Sequence, residues 1–180
     1  MSPPIAAQSY WQTGTLIPVL RPVADYMDVQ YNPENLDVLI TKQVFTFWDF
    51  QCILNAGISE GEISTWRFQY MSHLDTTWKA WSTFRAAVVL PYDAQTLVFY
   101  ELYSLGLPLL VPQETLLPLF FMRSYGQDGH VAHQRPGWNL RRSGAAWGRW
   151  HQGSFNELRW WAMFSDIARL PHLLVWSSLA

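Results

Sequence analysis

The chain has 180 residues, an apolar share of 49%, a charged share of 14% and a net charge of −2. That length allows one large domain or one domain plus part of a second, and the apolar share is ample for a core. So few charges leave a poorly charged surface, which points to cover by a larger assembly or a place in a longer protein. The net charge gives no reason to expect nucleic acid or an anionic membrane as partner.

The N-terminal run MSPPIAAQSYWQTG has no basic region followed by an apolar core, so no signal peptide is read there. No apolar run approaches the roughly 20 residues of a membrane span, so no span is expected. Cys52 is the single cysteine. It excludes an internal disulfide, is consistent with a cytoplasmic chain, and reads as a buried small hydrophobe rather than a nucleophile. Tryptophan is the outlier, at 11 residues. Such a density suits an aromatic core first, and sugar-stacking surfaces second.

Residues 1–35 are rich in proline and turn formers and read as an N-terminal extension or linker, with a short strand over 15–20. Leu36 to Thr41 (LDVLIT) is a buried-strand candidate with Lys42 beyond its end. Phe45 to Leu54 is aromatic and ambiguous between strand and helix, closed by Asn55-Ala56-Gly57. Residues 57–65 are turn-like and 66–71 suit another short strand. Ser72 opens a candidate helix in which Leu74, Thr77, Trp78 and Trp81 recur at helical spacing.

The stretch from Phe84 to Pro112 is the most informative. Ala86 to Leu90 is fully apolar, which suits a strand buried on both faces. Pro91-Tyr92-Asp93 breaks it. The next dozen residues suit three helical turns, with Gly106 as a C′ glycine and Pro108 unable to continue the helix. Leu107 to Val111 is a second apolar run, ended by Pro112. Strand, helix and strand of these lengths make a βαβ unit, whose strands are parallel. Ligands of such sheets sit beyond the strands' carboxyl ends, which sets Pro91, Tyr92 and Asp93 at the expected site.

A short apolar helix is read over 114–121 despite Pro118. Residues 122–153 then hold six glycines, five arginines, three histidines and one acid, Asp128, with Trp138, Trp147 and Trp150 interleaved. They read as an insertion: a mobile loop with solvated arginines first, with a diphosphate contact or a single-stranded nucleic acid contact as alternatives. His130 and His133 have helical metal-ligand spacing but lack a third ligand, so no metal is expected. Ser154 suits an N-cap, with Glu157 at capping-box spacing, for a helix to about Ala168. Pro171 ends it. His172 to Trp176 reads as a buried strand opened by a core histidine.

From residue 72 the order is therefore α-β-α-β-α-loop-α-β, with LDVLIT one strand earlier. The fold class expected is α/β: an open, mostly parallel sheet flanked by helices over 36–180, truncated at its C-terminal end.

The central stretch resembles the C-terminal, nucleotide-sugar-binding half of GT-B glycosyltransferases. The matching elements are Val88-Val89-Leu90-Pro91, then Glu101, then Gly106-Leu107-Pro108 and Leu109-Leu110-Val111. The retaining enzymes of that class carry an acidic pair written E-x7-E. Here Asp93 and Glu101 keep the spacing, with Asp as first member. Together with LRWWAMFSDIARLPHLLVWSSLA, the stretch is most similar to a group of little-characterised GT-B-like proteins from protists and algae. The two segments cover about a third of the chain.

The resemblance implies that Glu101 accepts hydrogen bonds from the ribose hydroxyls of a nucleoside diphosphate sugar. It sets Tyr92 and Asp93 near the sugar or phosphate, Lys42 near the phosphate, and Gly106 in the donor-binding set. No cofactor or metal is implied; the nucleotide sugar is the substrate. The glycine-rich diphosphate loop of the class is not visible. The N-terminal acceptor-binding domain is not in these residues, so glycosyl transfer would need it from elsewhere. Read from the residues alone, Asp93 suits a helix N-cap, Lys42 a solvated strand end, and Glu101 an ion pair with an arginine such as Arg85. The alternatives to a transferase half are a non-catalytic glycan- or protein-binding module and a fragment of a larger assembly.

Overall fold

The computed structural model describes residues 6, 10, 13–18, 27–41, 47–63, 66–74, 77–91, 96–120, 159 and 162–178. The backbone divides into two compact units, one of Val23–Leu90, Thr96–Gln113 and Pro171–Ala180, the other of Met1–Pro22, Pro91–Gln95 and Glu114–Leu170.

The first unit is built on a five-stranded sheet. Its strands are β1 (Val38–Ile40), β2 (Phe68–Tyr70), β3 (Ala86–Val88), β4 (Leu109–Pro112) and β5 (Leu174–Trp176). Every pairing is parallel, in the order β2-β1-β3-β4-β5. Helix α1 (Phe47–Ser59) joins β1 to β2, the single turn α2 (Trp78–Trp81) precedes β3, and α3 (Leu97–Ser104) joins β3 to β4. The chain winds outward from β1 to one edge, returns, and winds outward from β3 to the other. Right-handed crossovers then put α1 and α3 on opposite faces, the arrangement of a doubly wound, Rossmann-like sheet.

Burial follows that topology. β1 and β3 are buried along their whole length, as strands covered on both faces must be. Leu39, Ala87, Val89, Phe99, Leu102 and Val111 are fully buried. Each larger side chain among them stabilises the fold by about 1.5–3 kcal/mol through burial. In α3, Phe99, Tyr100 and Leu102 face inward while Leu97 is exposed. The Phe99 ring packs edge-on against Tyr100, with centroids 5.3 Å apart. Tyr103 Oη donates to the Pro171 carbonyl at 3.2 Å and ties α3 to the entry of β5.

Several local expectations are corrected. The part of the aromatic run that is described, 47–54, is helix, and α1 continues through Gly57 to Ser59. Gly57 sits inside the helix rather than at its stop, close to Ile63: a Cβ there would lie 3.0 Å from Ile63 Cδ1, which would have to shift slightly. The helix expected from Ser72 is a 3-10 turn (Met71–His73) followed by α2. Thr77 is the N-cap of α2, its hydroxyl accepting from Ala80 N. Pro112 does not break the pattern. It is the last residue of β4, and the next amide, Gln113 N, donates to Trp176 O at 2.8 Å.

Cys52 is exposed, not a buried small hydrophobe. His172 is exposed too, and it takes a left-handed backbone (φ 62°) at the turn into β5. Nor is β5 buried. Leu174 and Val175, which point to opposite faces of the sheet, are 55% and 63% exposed, because β5 is an edge strand. Residues 15–18 carry no regular structure, so no strand forms there.

The second unit is described more sparsely. Residues 114–120 make a turn and a short helical segment around the fully buried Leu117. The helix expected to reach Ala168 gives way earlier: Ser165 caps a separate 3-10 turn, Asp166–Ala168, accepting from Ile167 N at 3.3 Å. Arg169 lies over the Phe164 ring at 5.6 Å. The glycine- and arginine-rich 122–153, with His130 and His133, lies outside the described residues, as does the proposed cap at Ser154. Among the described residues, no helix is long and apolar enough to cross a membrane.

Candidate functional site

A doubly wound sheet has one place where neighbouring strands send their chains to opposite sides. In this order it lies between β1 and β3, at their carboxyl ends, and a crevice opens there by topology alone. Thr41 stands at this point, one residue past the end of β1. Its backbone N donates to Val88 O at 3.0 Å, and its hydroxyl accepts from Leu90 N at 2.9 Å. Thr41 and Leu90 are both about 1% exposed. The two strand ends are thus pinned together just before each chain leaves the sheet. Leu90 N is past the last ladder residue of β3, so the Thr41 side chain supplies the acceptor that a strand would otherwise supply.

The residues singled out from the sequence bear differently on this place. Lys42 follows Thr41 in the chain, and Tyr92 and Asp93 follow Pro91. All three lie outside the described residues. Glu101 is the fifth residue of α3, half-buried between the buried Tyr100 and Leu102. As the fifth residue of a helix that starts near the carboxyl edge, it is about 6 Å along the axis from the first residue, Leu97. Arg85 is not its partner: that guanidinium lies 4.7 Å over the Trp66 ring. Thr96, not Asp93, occupies the N-cap position of α3.

Gly106 stands at the opposite end of α3. It has φ +76°, donates from its N to Tyr103 O at 3.0 Å, and has Tyr31 beside it. It is the helix stop that lets Leu107 turn into β4.

A second polar cluster forms at the amino-terminal edge of the sheet. Asp37 Oδ1 is 2.8 Å from Arg67 Nε, and Asp37 Oδ2 accepts from Gln69 Nε2. The Asp37 side chain is 10% exposed and that of Arg67 is 78% exposed. Arg85 N donates to Asp37 O at 3.1 Å, and Tyr31 Oη donates to Arg85 O at 2.9 Å. This cluster joins β2, β1 and β3 at their starts. Sequence reading passed over it, although an acid directly before a buried strand is a signal for such a tie.

A third group gathers near the end of β2. Tyr70 and His73 meet edge-to-face at 5.9 Å. Burial, and secondarily the charge of Cys52, push the Tyr70 hydroxyl above its ordinary value of 10.0. Among the described residues, no group of three or more His, Cys, Asp or Glu side chains is placed to hold a metal ion.

No family model matches the chain, and no curated protein or solved structure matches it. The fold is a doubly wound, all-parallel α/β sheet whose strand order reverses between β1 and β3.

Proposed function

We propose that the chain is the nucleotide-sugar-binding half of a GT-B-like glycosyltransferase, with its donor site at the β1/β3 switch point. The observation that carries this reading is the Thr41–Leu90 hydrogen bond, which pins two carboxyl ends whose following residues are Lys42 on one side and Pro91-Tyr92-Asp93 on the other. The sheet order supports it, since crevices of this kind are where such sheets take ligands.

In this reading Glu101 accepts from the ribose hydroxyls. A carboxylate does this well, because hydrogen bonds to an ionised acceptor are the stronger kind. The resemblance gives Lys42 the diphosphate, with the first amides of α3 as further donors. It gives Tyr92 and Asp93 the sugar or the phosphate. Gly106 ends the helix and sets its direction, so its part is to position Glu101. In transfer, an acceptor hydroxyl attacks the anomeric carbon, the bond from that carbon to the diphosphate oxygen breaks, the nucleoside diphosphate leaves with the electron pair, and the hydroxyl proton passes to the departing diphosphate. Positive charge and amide donors around the diphosphate stabilise that departure. The acceptor and the domain that binds it come from elsewhere.

The test is titration of UDP- and GDP-sugars into the protein, with Glu101→Ala as control. Binding of one nucleotide class, weakened in the variant, supports the reading. Absence of binding to any nucleotide, or binding unaltered by the substitution, contradicts it.

A further inference from the structure

At the amino-terminal edge of the sheet, opposite to the proposed donor crevice, one arginine is held in place without an acidic partner. The Arg85 guanidinium lies 4.7 Å over the centroid of Trp66, and the residue is exposed. Because β1 runs between β2 and β3, the side chain reaches across the start of β1 to make that contact. The carboxylate nearest in register, Asp37, is already engaged by Arg67 and Gln69. No ion pair joins Arg85 to a carboxylate among the described residues. Stacking covers one face of the guanidinium and leaves its edge N–H groups available, so the donors are aimed before any partner arrives.

The surroundings are apolar and open. Trp66 is 41% exposed and Leu36 is 71% exposed. Counting the β1–β2 register back from Val38 and Phe68 sets Leu36 beside Trp66. The site is also rigid for a surface: Tyr31 Oη holds the Arg85 carbonyl, and Asn32 and Glu34 amides bond to the Ser82 and Thr83 carbonyls. A pre-set arginine beside an exposed tryptophan pairs two of the residue types that dominate binding hot spots.

We infer that this edge docks a protein segment that places an Asp or Glu carboxylate next to a large apolar side chain. The carboxylate would take the Arg85 fork, and the apolar group would lie on Leu36 and the free part of Trp66. Charge decides against a polyanion. Arg67 is neutralised by Asp37, Glu34 lies close by on the same edge, and the whole chain carries −2. One guanidinium without an acidic partner matches a single carboxylate, whereas a nucleic acid strand would also meet the charge of Glu34.

The experiment is selection of a phage-displayed random dodecapeptide library on the whole chain, followed by anisotropy titration of the labelled winners. The enriched peptides should carry Asp or Glu beside a large apolar residue. Arg85→Gln should weaken them about tenfold and Trp66→Ala comparably. Replacing the peptide's acid by Lys should abolish binding to the unaltered protein, a readout that needs no variant. The inference is overturned if no peptide is enriched, if winners lack an acid, if Arg85→Gln leaves their affinity unchanged, or if a labelled oligo-dT competes for the same site. None of these outcomes depends on nucleotide binding at the other edge.

Discussion

The Leu90 amide donates to the Thr41 hydroxyl at 2.9 Å, joining the carboxyl ends of two strands that are 49 residues apart in the chain. This bond lies where the sheet reverses its direction of growth. Thr41→Val keeps the shape and removes the acceptor, leaving a buried N–H unpaired. The expected loss is about 1–3 kcal/mol in urea unfolding, with Thr41→Ser close to wild type. An unfolding midpoint unchanged in Thr41→Val would remove the bond from the account.

Gly106 is held at φ +76°, yet a Cβ there would meet nothing closer than Tyr31 Cβ at 3.9 Å. Backbone conformation, not space, therefore requires glycine. Gly106→Ala should cost about 1–2 kcal/mol in stability. A fully stable alanine variant would mean that the left-handed turn is not kept in solution.

Asp37 and Arg67 are an unequal pair. Asp37 is buried and holds two partners, while the Arg67 side chain is mostly in solvent. Solvent screening makes the arginine's share small. Arg67→Ala should cost less than about 1 kcal/mol by chemical denaturation. Asp37→Ala should cost about 1–3 kcal/mol, because it releases Gln69 and the start of β1 together. Equal losses would show that the ion pair, rather than the buried carboxylate, carries the tie.

Tyr70 contributes to the loss of stability at alkaline pH. Its hydroxyl titrates above 10.0 in the folded protein because burial, then the Cys52 charge, disfavours the phenolate. The unfolded chain therefore releases this proton first. The contribution is fully present below about pH 10, and stability falls as pH rises from there through the folded value. Tyr70→Phe should flatten that fall and remove a component that titrates above pH 10 from the 295 nm absorbance. A wild-type and variant pair with the same alkaline profile would contradict this.

Much of the sheet was legible from local pattern. LDVLIT, AAVVL and LPLLV are apolar runs bounded by turn residues, and each contains a buried strand. Gly106 was readable as a stop because its place after an apolar helix needs positive φ. What failed to show locally depends on neighbours distant in sequence. Gly57 looks like a helix end, but Ile63 packs where its Cβ would be. Pro112 looks like a breaker, but β4 ends there without needing its N–H. The chain 172–176 is apolar like a core strand, yet nothing in its composition says that it lies on an edge. Of the site, the strand-end position before Pro91 was readable, because a parallel sheet puts its crevices at carboxyl ends. The Thr41 bridge and the Arg85–Trp66 stack were not, since both link residues that only the strand order brings together.

The most direct measurement is an amide NMR titration with UDP and GDP. The account predicts shifts clustered at Thr41, Val89, Leu90 and Glu101, at the carboxyl edge, and none at Arg67 and Arg85. Shifts confined to the amino-terminal edge, or no shifts with either nucleotide, would contradict a donor site at the β1/β3 switch point.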